Sequence, residues 1–191
     1  MKNNFFSREE LQDIGLKSFG NNVLISRKAS IYGEQDISIG DNVRVDDFCI
    51  LSGKIAIHNY VHIAAYSALF GGIEGIEIFD FANISSRVCI YAINDDYSGA
   101  TMTNPMVPDK YKDVTHKRVI LNKHVIIGSC CTVLPGVTLG EGSSFGAMTL
   151  IDKDSDPWCI NVGIPFKKLR DRSKMLLEFE KLLWLEKQDN E

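Results

Sequence analysis

LNKHVI, IGSCCT, VLPGVT, LGEGSS, FGAMTL and IDKDSD run without a break from Leu121 to Asp156: six hexads, each opening on an aliphatic or aromatic residue, usually with Gly or another small or acidic residue behind it. A half-buried strand in an ordinary sheet repeats every two residues. A period of six held this long belongs to a chain that coils, turning after each short strand. The same phase recurs upstream in IGDNVR from Ile39, VDDFCI from Val45, IHNYVH from Ile57, IAAYSA from Ile63, IFDFAN from Ile78 and ISSRVC from Ile84. Ile39 and Ile57 are 18 residues apart, as are Leu121 and Leu139, so three hexads close one coil. The 21 residues from Ile57 to Ile78 include three extra near Gly71, Gly72 and Gly75, where the chain can bulge outward. Such coils stack as a parallel β-helix, an all-β fold in which each strand pairs with its equivalent one coil away and the first residue of each hexad points into a shared core. At about 4.8 Å per coil, about seven coils give a prism roughly 30 to 35 Å long.

The chain of 191 residues is one domain with a small appendage, and 45% hydrophobic residues suffice for its core. A net charge of -4 gives no reason to expect nucleic acid or an anionic membrane as partner. No apolar run reaches the 18 residues of a membrane span, and MKNNFFSREE lacks the apolar stretch of a signal peptide, so a cytoplasmic protein is expected. The five cysteines, at positions 49, 89, 130, 131 and 159, show no metal-type pairing and read as reduced packing thiols.

Residues 1–21 form an expected cap. Within it Ser7-Arg8-Glu9-Glu10 has the spacing of a capping box, followed by Leu11 and Ile14 on one face and a stop at Gly15, which predicts a short helix over 8–14. The β-helix is expected over 22–165, interrupted by INDDYSGATMTNPMVPDKYKDVTHKR at about 93–118. That segment has no hexad phase, two prolines and many turn residues, and must be extruded as a loop. A loop of this length is more often functional than idle. Residues 166–191 form a tail, with an amphipathic helix predicted over 171–187 and Trp184 as its anchor.

The hexads, the loop and the turn Gly163-Ile164-Pro165 together resemble the hexapeptide-repeat acyltransferases, over residues 22 to 172. The likeness is closest to the maltose and galactoside acetyltransferases and to the sugar-modifying enzymes of polysaccharide biosynthesis. It implies a left-handed coil, an exception to the usual right-handed crossover. It also implies acetyl-CoA as cosubstrate, a homotrimer, and active sites between subunits, and no metal is expected. Those sugar acetyltransferases carry I-Y-T-A-G-H ahead of the loop, with a catalytic His. Here the stretch is Ile90-Tyr91-Ala92-Ile93-Asn94-Asp95, which puts Asp95 in the histidine's place, with Asn94, Asp96 and Tyr97 beside it as substrate contacts.

A carboxylate with a pKa near 4 is a poor base for a sugar hydroxyl at neutral pH, whereas an amine needs only to be oriented and neutral. The substitution therefore favours an amino acceptor, a nucleotide-linked amino sugar or glycan precursor, over the hydroxyl acceptor of an O-acetyltransferase. His124, at a turn and expected to face outward, is the competing base. His116, within the loop, is a lesser candidate.

For the acyl-CoA, the resemblance points to Gly146 and Ala147 in FGAMTL, small enough for the thioester arm to lie close and with a backbone N–H for the oxyanion. It points also to Gly163 and Pro165, with Lys167 and Lys168, joined by Arg170 and Arg172, for the phosphates. Two rival classes share the fold. A metal hydratase like the γ-class carbonic anhydrases would need converging histidines, which the spacing of His58 and His62 does not give. A non-catalytic binding module would show no affinity for CoA.

Overall fold

In the computed structural model, which describes residues 4–188, the chain winds into a three-sided prism. One face stacks Leu24–Ile25, Arg44–Val45, His62–Ile63, Asn83–Ile84, Ile126–Ile127, Ser144–Phe145 and Cys159–Val162 in parallel. The second stacks Ser30–Tyr32, the first half of Ile50–Ile57, the first half of Ala68–Ile78, Cys89–Tyr91, Thr132–Val133 and Leu150–Ile151. The third stacks Ser18–Phe19, Ile37–Ile39, the second halves of the two long strands, Val119–Leu121 and Thr138–Leu139. This is the parallel β-helix that the hexads imply, with the left hand expected from the resemblance and about seven turns.

Hexad-opening residues form the core columns. Ile25, Val45, Ile63, Ile84 and Ile127 line the first face, Leu51, Leu69, Ile90, Val133 and Ile151 the second, and Ile39, Ile57, Ile78, Leu121 and Leu139 the third, all buried. The fifth residue of each hexad also points inward. At the corner between the first and second faces this position carries a side-chain donor in four coils, with Ala29 and Val88 in two others. Cys49 Sγ donates to Ala64 O at 3.2 Å, Ser67 Oγ to Ser85 O at 2.9 Å, Cys131 Sγ to Gly146 O at 3.1 Å and Thr149 Oγ1 to the same carbonyl at 2.6 Å. All five cysteines are free, and burial pushes the Cys49 and Cys131 thiols up, so these two are packing groups.

The fourth residue of each hexad makes the turn. At the corner between the third and first faces, Asn22, Asn42, Tyr60, Phe81, His124 and Trp158 have φ between 51° and 62°. At the next corner Phe48, Tyr66, Arg87, Cys130 and Met148 lie between 61° and 65°. The third corner, between the second and third faces, uses glycine instead, and a Cβ on Gly53 there would lie only 2.9 Å from the Gly72 backbone. It is also the corner where insertions occur: the extra residues at Ile73–Gly75, and the long loop.

Both ends are closed. Ser7 caps helix α1 (Arg8–Ile14) in a full capping box with Glu10, and Gly15 ends it with φ 83°. At the other end, Lys167–Asp171 folds back as an antiparallel strand on Cys159–Val162, and Phe166, 4% exposed, plugs the core against Phe145. Two boundaries differ from expectation. Coiling begins at Ser18–Phe19, and helix α2 spans Leu176–Gln188 because residues 167–171 are still strand. No helix among the described residues is long and apolar enough to cross a membrane.

Ile84 sits mid-prism at 0% exposure. Ile84→Ala is expected to cost about 2 to 5 kcal/mol of stability in denaturant unfolding, while Ile73→Ala, on the exposed bulge, should change it by no more than about 0.5 kcal/mol.

Candidate active site

The loop leaves the third corner between Ala92 and Lys117, whose N–H bonds back to the Ala92 carbonyl at 2.9 Å. Its root is a short antiparallel pair, Ile93–Asn94 against Thr115–His116. Gly72 makes room for that root, since a Cβ there would meet His116 Nδ1 at 3.1 Å and Ile93 Cβ at 3.2 Å. His116 is thus a packing residue of the loop root, and its buried Nδ1 has no hydrogen-bond partner among the described residues.

Above the second face the loop encloses an open cavity of about 930 Å³. Phe70 and Tyr91, one coil apart, stack at 5.2 Å to form its floor with Thr132 and Leu134. Ile93, Asn94, Asp95 and Tyr97 from the outgoing limb of the loop, and Pro105, Lys112 and Val114 further along it, complete the lining. Burial, reinforced by Cys89, pushes the Tyr91 phenol up, so Tyr91 is a hydrogen-bond donor at neutral pH. Of the expected residues, Asn94, Asp95 and Tyr97 converge here. Among the described residues, Asp95 is the cavity's sole carboxylate and no histidine lines it. Asp96 does not reach in. Its carboxylate accepts from the Ser98 N–H at 2.7 Å, and from the N–H and Oγ1 of Thr101 at 2.9 and 3.1 Å, so it organises the loop. Those bonds, Ser98 foremost, lower its pKa to about 2.

His124 is not the outward-facing turn histidine expected. It is 7% exposed beneath α2, with Nε2 2.7 Å from Glu180 Oε2, its ring stacked on Phe81 at 5.1 Å, and its carbonyl accepting from Arg172 Nη1 at 2.8 Å. Glu180 also accepts from Lys123 and, at 3.0 Å, from Trp184 Nε1, and Trp184 stands edge-on to Tyr60 and Phe81. This corner anchors the helix, and it does not line the cavity.

The groups expected to hold acyl-CoA lie elsewhere on the prism. The Gly146 N–H is not open to an oxyanion, because it donates to Asn161 O at 2.8 Å as a rung of the first face. Ala147, next along, is exposed at the second corner, and its N–H has no partner among the described residues. Gly163 and Pro165 form the hairpin that caps the prism, with the Gly163 carbonyl accepting from Leu150 N. Lys167 and Lys168 lie on the exposed return strand, and Lys168 pairs with Asp171 at 2.7 Å. Arg172 is spent on the carbonyls of His124 and Gly142. His58 and His62 flank one corner from two faces and bond separately, to Glu77 at 3.1 Å and to Asp46 at 2.9 Å.

Phe70, Tyr91 and Lys112 are additions to the site. The aromatic pair was within reach of the sequence, since Phe70 and Tyr91 are 21 residues apart, the same span as Ile57 to Ile78. Lys112 lies in a stretch with no period to place it.

A β-solenoid with an extruded loop roofing a cavity of this kind defines the class of β-helical acyltransferases. No family model matches the chain. It is 51% identical over 174 residues, 90% of each chain, to the dTDP-4-amino-4,6-dideoxy-D-glucose acyltransferase of Escherichia coli. It superposes with TM-score 0.94 and 52% identity on AntD, an N-acyltransferase from Bacillus cereus, solved with dTDP and 3-hydroxybutyryl-CoA, covering 99% of this chain and 100% of that one. Variants of AntD at a serine and at an aspartate ten residues later have also been solved, one with dTDP-4-amino-4,6-dideoxyglucose and coenzyme A. A putative lipopolysaccharide biosynthesis O-acetyl transferase, WbbJ of Escherichia coli K12, is 26% identical over 155 residues, 76% of this chain and 74% of that one. The chain belongs to the hexapeptide-repeat acyltransferase family.

The docking of α2 carries a pH dependence. Burial opposes ionisation of Glu180, but the bonds from Lys123, Trp184 and His124 outweigh it and lower its pKa from 4.5 to about 2. A depressed acid stabilises above its unfolded value and loses that contribution as pH falls through its folded one. The stability gap between wild type and Glu180→Gln, followed by tryptophan emission, is therefore expected to be full above pH 4.5 and to close as pH falls toward about 2.

Proposed function

We propose that the protein transfers an acyl group from an acyl-CoA thioester to the amino group of dTDP-4-amino-4,6-dideoxyglucose or a close nucleotide-linked amino sugar. The observation that carries this is Asp95, among the described residues the sole carboxylate of a cavity that no histidine lines. A hydroxyl acceptor needs a base that can take its proton near neutral pH, and such a site would hold an imidazole. An amine, once neutral, attacks unaided. Asp95 accepts a hydrogen bond from it and holds the lone pair toward the thioester carbonyl. The relatives' substrates support this choice. So does the serine-to-aspartate spacing in AntD, which Ser85 and Asp95 reproduce. Ser86 and Asp96 share the spacing, but the Asp96 carboxylate is spent within the loop.

The reaction balances without an acyl-enzyme. The C–N bond forms, the oxyanion collapses, the C–S bond breaks, and the amine proton passes to the departing thiolate, whose conjugate acid resembles a cysteine thiol of pKa about 8.5. The open N–H of Ala147 is the donor we assign to the oxyanion, in place of Gly146. Ala147 is at the second corner and the cavity hugs the third, so a complete site joins Asp95 of one chain to the Ala147 edge of a neighbour. A homotrimer with three such sites fits that division. The exposed second-corner column of Phe48, Tyr66 and Met148 suits burial between copies. Lys167 and Lys168, on the exposed strand beside the hairpin of Gly163 and Pro165, are placed to meet CoA phosphates, and the product suits cytoplasmic assembly of a surface polysaccharide.

Thiol release from acyl-CoA is expected with dTDP-4-amino-4,6-dideoxyglucose and not with maltose or galactosides. Turnover confined to hydroxyl acceptors would overturn the reading. Asp95→Ala should lower kcat/KM for the amino sugar about 10- to 100-fold, the worth of a hydrogen bond to a charged group, with KM for acyl-CoA unchanged. Light scattering is expected to give three times the mass of the chain.

A further inference from the structure

We infer that Lys112 is a specificity-determining residue of the acceptor cavity, one that selects acceptors carrying a diphosphate. Among the described residues, Asp95 and Lys112 are the only charged ones lining the cavity, which the stacked Phe70–Tyr91 pair also lines. The Lys112 side chain is only 10% exposed, yet its ion-pair partner is Asp109, three residues away on a side chain that is fully exposed. Desolvating an ammonium is costly, and a pair with a wholly solvated carboxylate returns little. The charge is left for something that enters the cavity.

The loop is built to hold it there. Met102 N donates to Tyr111 O at 2.9 Å, Met102 and Lys112 form a β-bridge, and Asp113 N donates to Thr101 Oγ1 at 3.2 Å. Thr101 is itself fixed by Asp96. The carboxylate of Asp96 therefore acts at one remove, as a positioning residue for Lys112. A cavity lined by one anion, one cation and a stacked aromatic pair suits a ligand with the reverse polarity. An ammonium-bearing sugar on a nucleoside diphosphate has that form, with its amine at Asp95 and its diphosphate at Lys112, where an ammonium serves as a point-charge phosphate anchor.

This inference rests on the nucleotide-linked acceptor proposed above, and binding separates the two. In titration calorimetry the wild type is expected to bind dTDP more tightly than thymidine. Lys112→Met should weaken dTDP about 10- to 100-fold and leave thymidine within a few-fold, with Lys112→Arg retaining most of the preference. In turnover, Lys112→Met should raise KM for the dTDP-linked amino sugar by a similar factor while KM for acyl-CoA stays fixed. Lys110→Met, at an exposed neighbour, should behave as wild type. Unaltered dTDP affinity in Lys112→Met, or an equal loss for dTDP and thymidine, overturns the inference. Lysine-dependent dTDP binding without acyl transfer to any amino sugar would leave the inference standing and overturn the proposed function.

Discussion

At two of the three corners of most coils, a residue with a side chain adopts the left-handed backbone conformation, Gly142 being the one glycine in these columns among the described residues. Away from glycine this costs roughly 1 to 2 kcal/mol. The positions are filled by Asn, Tyr, Phe, His, Trp, Arg, Cys and Met, and none is β-branched, the class that tolerates positive φ least. Two repeating contacts offset the cost. Most corner N–H groups find a carbonyl one coil away, as Tyr60 does with Asp41 and Cys130 with Ser86. The corner side chains also stack, Tyr60 on Phe81 at 4.9 Å and Phe48 on Tyr66 at 4.9 Å. Neither contact exists in a lone coil, so the turns are stable only as a stack, which makes the fold cooperative along its axis.

Because two corners are held so tightly, variation is confined to the third, where glycines replace stacked side chains. The 3-10 turn Glu34–Asp36, the bulge at Ile73–Gly75 and the long loop all leave from there. The cavity follows from that placement. Strand residues just before the third corner, Phe70 and Tyr91, face outward in register, and a loop extruded one step later has to lie over them. The site is a consequence of where the coil tolerates insertion.

This explains what could be read in advance. Hexad starts, coil length, the bulge and the loop all follow from one period, whereas Asp95 was singled out by the likeness of Ile90–Asp95 to the family's motif. His124 was misjudged because the period says a turn residue points outward, and says nothing of a helix laid over that turn. An amphipathic pattern in residues 176–188 identifies a face but not its partner, and the partner is the aromatic column of Tyr60 and Phe81. The strand Lys167–Asp171 is exposed throughout and charged at every position but Leu169, with no alternation to betray it. Gly146 looked suited to an oxyanion because a small residue and an open amide are different properties. Sequence shows only the first.

An aspartate in the place of a histidine alters which step the protein has to assist. A histidine can carry the acceptor's proton; an exposed carboxylate is too weak a base for that, and the cavity offers no other among its described residues. The proposed acceptor fits that limit, since an amine can attack while still holding its proton and lose it afterward to the thiolate. On this view the protein's contribution is placement. A rigid stack sets the floor, a loop braced by Asp96 sets the opposing charges, and the chemistry is left to the two reactants.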